Sequence, residues 1–292
     1  MTVLDTRAHV AARPQEPGPA RHPRTRTYGM CPPEHFDVTY AINPWMRPGV
    51  DVDLDRAMTQ WQVLRETYRS LGHRVEELPA QPGQPDMVFA ANGALVVRDR
   101  AYGARFRHPE RHAEAAAHAT WLETLGLDVV EPQHVNEGEG DFLTLGSMIL
   151  GGTGFRTTLD AHVEAAQLLD RPVVSLELVD PRFYHLDVAL GVLDDGNGEA
   201  PADIAYLPQA FSRHSQRTLA ELFPDALRCT MDDALAFGLN LVSDGQRVVL
   251  PTAARDLTAA LEGRGYTPVP VDLSELLKGG GSIKCCTMEM HA

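Results

Sequence analysis

Residues 87–132 read MVFAANGALVVRDRAYGARFRHPERHAEAAAHATWLETLGLDVVEP, and this stretch carries the pattern that decides the fold. An apolar, strand-like run comes first, a helical stretch over 110–125 follows, and a short strand-like run ends it. In the helical stretch, Ala113, Ala117, Trp121 and Leu125 lie four positions apart, which is the spacing of one helix face. The stretch therefore predicts a hairpin, a helix and a strand, in that order.

The same order recurs about five times along the chain. The predicted helices lie over 51–71, 110–125, 159–169, 214–222 and 254–262; Gly72 ends the first, and Thr157 or Thr158 caps the third. The pattern predicts one domain of repeated α/β units over 27–292. Residues 1–26 contain arginines and prolines but no apolar segment of a secretory signal, so we expect a disordered leader outside this domain.

The composition excludes several classes of partner. With 40 acidic and 26 basic residues the formal charge is -14, which argues against a nucleic-acid ligand but is compatible with a small cationic substrate. No apolar run reaches the roughly 18 residues of a membrane span, so we expect no membrane partner and a cytoplasmic protein. The four cysteines do not suggest a disulfide scaffold, and no cysteine spacing suits a structural zinc ion. The sequence is compatible with a homo-oligomer.

Four polar clusters interrupt otherwise apolar strand ends. They are FAAN ending at Asn92, EGEGD over 137–141, FYHLD over 183–187, and Cys285 with Cys286 behind three glycines. Each has an ordinary alternative when taken alone: a structural histidine, a solvated glycine turn, or inert buried thiols. Together they supply a thiol, a histidine and carboxylates, the combination that cysteine catalysis requires.

In the type and order of these clusters, the chain resembles the pentein superfamily of guanidino-group-modifying enzymes. This superfamily comprises arginine deiminases, dimethylarginine dimethylaminohydrolases and amidinotransferases. The branch that the chain resembles most is the bacterial arginine dihydrolases. The matching segments run in family order over 30–287: MCPPEHFDVTYAINPWM, FAANGALV, RFRHPER, EGEGD, GFRT, DPRFYHLD and GGGSIKCCT. The resemblance implies a five-bladed α/β propeller of repeated ββαβ units, which agrees with the roughly fivefold alternation.

The resemblance also implies roles for single residues. Cys285 would be the nucleophile, aimed by the glycines at the substrate, and Cys286 a neighbour that is packed away. His185 would be the general acid and base. Glu137 would orient it, although Glu139 could also align with the family's glutamate.

The resemblance assigns substrate binding to five further residues. Asp187 would bind the guanidinium, Arg111 and Arg156 would hold the substrate α-carboxylate, and Asn43 would contact the substrate. Deiminases and dimethylargininases carry an aspartate where this chain has Asn92. An asparagine can donate a hydrogen bond to the oxygen of a neutral ureido group, whereas a carboxylate repels it.

The resemblance, with which the argument on Asn92 agrees, therefore implies an arginine dihydrolase that releases ornithine, ammonia and carbon dioxide through a covalent thiouronium, with no metal or organic cofactor. The alternatives are a dimethylarginine dimethylaminohydrolase acting on methylated arginine, an arginine deiminase and an amidinotransferase. A non-catalytic binding protein, such as the ribosome anti-association factor of related fold, belongs to another class. The charge of -14 and the full set of catalytic residue types argue against it.

Overall fold

The chain forms five three-stranded blades in the computed structural model, which describes residues 21–196 and 201–291. In each blade an inner strand pairs antiparallel with a middle strand, and the middle strand pairs parallel with an outer strand after a helix. The middle and outer strands need this crossover helix because parallel neighbours cannot be joined by a tight turn. The order is that of the predicted ββαβ unit.

Four blades follow one another along the chain. Their elements are β3 Ala94–Val97, β4 Arg100–Gly103, α2 His112–Thr124 and β5 Asp128–Val130; β6 Phe142–Leu145, β7 Met148–Thr153, α3 Leu159–Leu169 and β8 Val173–Glu177; β9 Leu190–Asp194, β10 Asp203–Tyr206, α4 Arg213–Leu222 and β11 Leu227–Arg228; and, after the short helix α5 Met231–Leu235, β12 Val242–Ser243, β13 Arg247–Pro251, α6 Arg255–Gly263 and β14 Thr267–Val271.

The remaining blade joins the two ends of the chain. It consists of β1 Thr27–Met30, α1 Leu54–Ser70, β2 Arg74–Glu77 and the last strand, β15 Met288–His291. β15 pairs antiparallel with β1, placing Tyr28 opposite Glu289, and parallel with β3, placing Met290 opposite Val96. The C-terminal strand thus closes the ring, which fixes the segment that carries the two cysteines. The five-bladed fold predicted from the sequence is confirmed.

Local signals place the helices close to their predicted bounds. The Asp53 side chain accepts a hydrogen bond from the Arg56 N–H and starts α1, and Gly72 follows the helix with a φ of 89°. Thr158 caps α3 by accepting from the Ala161 N–H. The short helix α5 was not predicted, because five residues do not establish a periodic face.

A short turn precedes the inner strand of every blade, and the turns meet at the centre of the ring. Three are 3-10 turns, at Ala90–Gly93, Gly138–Gly140 and Leu186–Val188. The Ala91 N–H donates to the Cys285 carbonyl at 3.0 Å and so joins the first of these to the turn before β15. Every polar cluster singled out from the sequence lies on or beside one of these turns.

The predicted leader is partly attached to the domain. Residues 1–20 lie outside the described residues. Arg21 stacks on the Tyr266 ring at 3.4 Å, and Arg26 forms an ion pair with Asp195 at 2.9 Å. Stacking and an ion pair thus place Arg21 and Arg26 against the blades, while the domain boundary at residue 26 stays a prediction. Among the described residues, no helix is long and apolar enough to cross a bilayer.

Candidate active site

Seven of the eight predicted site residues are buried together around the central turns. Their exposed fractions are 3% or less: Asn92, Arg111, Glu137, Arg156, His185, Asp187 and Cys285. Asn43 is half-buried in the loop between β1 and α1. Charged groups are rarely buried without partners, so the pairing of these side chains decides what the site can do.

The Cys285 thiol lies against the Asp187 carboxylate. The distance from Sγ to Oδ2 is 3.2 Å, and Asp187 Oδ1 has no hydrogen-bond partner among the described residues. Burial raises the pKa of the Cys285 thiol well above its usual range, and the nearby carboxylate adds to this effect. Burial also raises the pKa of Asp187, to about 6. A cation placed beside both groups would favour their ionised forms, so the pair is suited to a guanidinium substrate.

His185 and Glu137 form a second pair, which Arg156 completes. His185 Nε2 lies 2.8 Å from Glu137 Oε2, and the Arg156 guanidinium donates to the same oxygen at 2.6 Å. Burial alone would raise the pKa of Glu137, but Arg156 and His185 together lower it well below its usual range. An ionised Glu137 accepts a hydrogen bond from Nε2–H, which leaves Nδ1 as the ring nitrogen without a proton in the neutral imidazole. Nδ1 has no partner among the described residues.

The structure shows which of the two glutamates, Glu137 or Glu139, lies against His185. Only Glu137 contacts His185; Glu139 accepts from Lys284 Nζ at 2.7 Å and from the Glu289 N–H at 2.7 Å. Glu139 therefore anchors the C-terminal strand, while Glu137 faces the histidine.

Arg111 makes contacts that the sequence did not predict. Its guanidinium binds Glu114 through two hydrogen bonds, of 3.0 and 2.7 Å, and donates to Asn92 Oδ1 at 2.7 Å. The Asn92 amide is thereby oriented with its Nδ2 group free, and this atom has no partner among the described residues. Arg156 likewise donates to the Ile42 carbonyl at 2.7 Å. Binding of the substrate carboxylate by these arginines stays a prediction.

Asn43 holds the glycine run in front of Cys285. Its Nδ2 donates to the Gly279 carbonyl at 3.1 Å, and a Cβ on Gly280 would lie 2.5 Å from its Oδ1. Gly280 has a φ of 84°, which disfavours any side chain, and a Cβ on Gly281 would lie 2.3 Å from the Phe89 ring. The glycines therefore allow this turn to lie tightly against its neighbours, while contact of Asn43 with substrate stays a prediction.

Two buried polar residues of the site were missed. Asn240 contacts Cys285 through Nδ2 to Sγ at 3.1 Å. Asp86 accepts from the Tyr40 hydroxyl at 2.9 Å and lies near Arg111. Asn240 could have been found from the repetition, because GLNL precedes β12 as AANG precedes β3, with the asparagine two residues before the strand in both. For Asp86, the only signal in the sequence was its position six residues before Asn92.

We expect Asp187→Asn to stabilise the protein at pH 7.5 while it impairs activity. The folded-state pKa of about 6 lies above the ordinary value of 3.8, so the folded state binds more protons and stability falls as pH rises through this interval. Burying the ionised carboxylate lowers the free energy of unfolding above pH 6 by an amount on the order of 3 kcal/mol, and the substitution removes this cost. Thermal unfolding should show a higher Tm at pH 7.5 and little difference below pH 4.

Asp128→Asn is the control for this experiment, since Asp128 is exposed on β5 and should leave Tm nearly unchanged. A lower Tm for Asp187→Asn at pH 7.5 would mean that the ionised carboxylate stabilises the fold, contrary to this argument.

Known proteins resemble the chain in both sequence and structure, although no family model matches it. It is 53% identical to the N(G),N(G)-dimethylarginine dimethylaminohydrolase of Mycobacterium tuberculosis, over 98% of this chain and 93% of that protein. It is 37% identical to the bifunctional arginine dihydrolase/ornithine cyclodeaminase ArgZ of Synechocystis sp., over 89% of this chain. The match spans only 37% of that longer protein.

The chain also matches a crystal structure of the N-terminal domain of ArgZ, an arginine dihydrolase. In a cysteine-to-serine variant bound to substrate it superimposes with a TM-score of 0.86 at 35% identity, over 91% of this chain and 98% of that domain. The agreement extends to the whole propeller. The chain therefore belongs to the dimethylarginine dimethylaminohydrolase and arginine dihydrolase family of guanidino-group hydrolases, within the pentein superfamily.

Proposed function

We propose that the protein is an arginine dihydrolase, which hydrolyses arginine to citrulline and then citrulline to ornithine at one site. The observation that carries this proposal is the orientation of the Asn92 amide. Its Oδ1 accepts from Arg111, so Nδ2 is the group left to meet a substrate. A neutral ureido oxygen needs a donor at this position, which the Asn92 amide supplies.

Two free polar atoms converge above Gly140. A Cβ at this glycine would lie 2.3 Å from Asn92 Nδ2 and 3.1 Å from His185 Nδ1. The missing side chain keeps both atoms accessible to the same small group. This arrangement supports binding of the reacting end of the substrate between the amide and the histidine.

The chemistry would begin when the guanidinium of arginine lies beside Cys285 and Asp187 and favours ionisation of the thiol. The thiolate attacks the guanidinium carbon, and His185 delivers the proton given up by the thiol to the departing nitrogen. Ammonia leaves and a covalent thiouronium remains. His185 then takes a proton from water through Nδ1; this water attacks the thiouronium carbon, and the carbon–sulfur bond breaks to release citrulline and the Cys285 thiolate.

A second cycle attacks the ureido carbon in the same way. Its balance is citrulline plus water giving ornithine, ammonia and carbon dioxide. The substrate itself provides the electrophilic carbon, so the scheme requires neither a metal ion nor an organic cofactor.

Dimethylarginine hydrolysis is a second candidate, because the 53% identical relative carries that name. This reaction uses the same nucleophile and histidine but stops at citrulline and releases dimethylamine. Transfer of the amidino group to an amine acceptor is a further use of the same intermediate, and offering glycine as acceptor would reveal it.

A product assay separates these reactions. Arginine, citrulline and asymmetric dimethylarginine are offered separately, and ornithine, citrulline, ammonia and dimethylamine are measured. We expect arginine to give ornithine with two ammonia per turnover, and citrulline to be consumed. Accumulating citrulline, or dimethylamine as the main product, would contradict the proposal and favour single hydrolysis.

A further inference from the structure

Asn240 is a buried side chain whose polar groups all contact the catalytic turns. Its Oδ1 accepts from the Cys285 N–H at 3.2 Å. Its Nδ2 donates to Cys285 Sγ at 3.1 Å and to the Asp187 carbonyl at 3.2 Å. Because the backbone N–H can only donate, Oδ1 must face it, and this fixes Nδ2 toward the sulfur.

The backbone around Asn240 is held in an uncommon conformation. Phe237, three residues earlier, is buried with a φ of 59°, and its carbonyl accepts from the Asn240 N–H at 2.9 Å. A Cβ on Gly191 would lie 2.8 Å from the Leu239 carbonyl, so β9 approaches this segment closely. Such strain persists only where the surroundings over-determine it, and here it directs one amide at the nucleophile.

The other titratable groups near the sulfur cannot supply this contact. Asp187 and Tyr184 disfavour the thiolate when ionised, and Cys286 acts in the same direction. The Lys284 ammonium is bound to Glu139 at 2.7 Å. Among the described residues, Asn240 therefore provides the side-chain N–H that hydrogen-bonds to the sulfur.

We propose that Asn240 is a further catalytic residue. It donates an N–H hydrogen bond to the Cys285 sulfur as the thiolate forms, and it keeps this sulfur beside the Asp187 carboxylate. This inference rests on the proposed role of Cys285 as the nucleophile. An amide is required because a carboxylate of the same shape has no proton to donate and would add a negative charge beside the sulfur.

The test measures alkylation of Cys285 by iodoacetamide against pH, with the modified peptide identified by mass spectrometry. In Asn240→Ala the apparent pKa of this reaction should rise by about 1, since a hydrogen bond to a charged group is lost. It should rise further in Asn240→Asp. We expect kcat for arginine to fall by about tenfold or more in both variants and KM to change much less.

The matched control is Asn136→Asp. Asn136 is equally buried, but its amide bonds to groups away from the Cys285 sulfur, among them the Gly103 carbonyl and the Gly138 N–H. Its variant should retain the wild-type pKa of alkylation. Asn240→Ser keeps one donor, should give an intermediate pKa, and replaces the alanine variant if thermal unfolding shows that the latter does not fold.

An unchanged pKa in the folded Asn240 variants would overturn the inference, and so would an equal rise in Asn136→Asp. Alkylation reports the environment of the sulfur whether or not Cys285 is the nucleophile. Turnover by a Cys285→Ser variant would instead defeat the proposed function, so the two failures are distinguishable.

Discussion

Cys285→Ser is expected to lose turnover of arginine by at least about 10³-fold, while its Tm stays close to that of the wild type. The sulfur of Cys285 lies between the Asp187 carboxylate and the Asn240 amide, where its thiolate can form beside a bound cation. A serine hydroxyl in the same position fits the space and keeps the hydrogen bonds. Its much higher pKa leaves almost no oxyanion to attack the guanidinium carbon.

The neighbouring Cys286 provides the control. It is also buried, and burial raises the pKa of its thiol as well. Cys286→Ser should keep most of the wild-type kcat, because its thiol, unlike that of Cys285, forms no hydrogen bond with Asp187 or Asn240. The measurement is release of ammonia from arginine, with unfolding followed by circular dichroism. Substantial turnover by Cys285→Ser, or equal losses in both variants, would contradict the assignment of the nucleophile.

The repeating unit of the fold could be predicted because the spacing of apolar residues in neighbouring positions indicates each helix and strand. The helix at Leu159–Leu169 has the predicted bounds, since its cap at Thr158 and its apolar face are features of neighbouring residues. Closure of the ring by β15 could not be derived in this way. It depends on pairing between Tyr28 and Glu289, which are far apart in sequence. The family resemblance implied a five-bladed propeller, but neither it nor the periodicity predicted which strand closes the ring.

The site was predictable in its residue types but not in its pairings. Glu137 and Glu139 are separated by one glycine, and only the 3-10 turn between them decides which one faces His185. Asn240 was missed because a single asparagine in an apolar run resembles an ordinary turn residue. The pairing of Arg111 with Glu114 was not predicted either, although the two residues are three apart at the start of α2.

Asn92→Asp is expected to turn the enzyme from an ornithine producer into a citrulline producer. The new carboxylate can keep the hydrogen bond from Arg111, so the side chain should stay in place and the protein should fold. The oxygen that replaces Nδ2 still attracts the guanidinium of arginine, so the first hydrolysis proceeds. It repels the ureido oxygen of citrulline, which then leaves before the second attack.

The ratio of ornithine to citrulline formed from arginine should fall by about tenfold or more, because a hydrogen bond donated to the ureido oxygen is replaced by repulsion between this neutral oxygen and a carboxylate. Both products are measured in one reaction under initial-rate conditions. Asn136→Asp makes the same change at a buried asparagine whose amide bonds to the Gly103 carbonyl and the Gly138 N–H, and it should retain the wild-type ratio. A ratio that is equal in Asn92→Asp and the wild type would show that the amide does not retain citrulline. The second hydrolysis would then have to depend on another group near Cys285, and the reason for preferring a dihydrolase to a dimethylargininase would be lost.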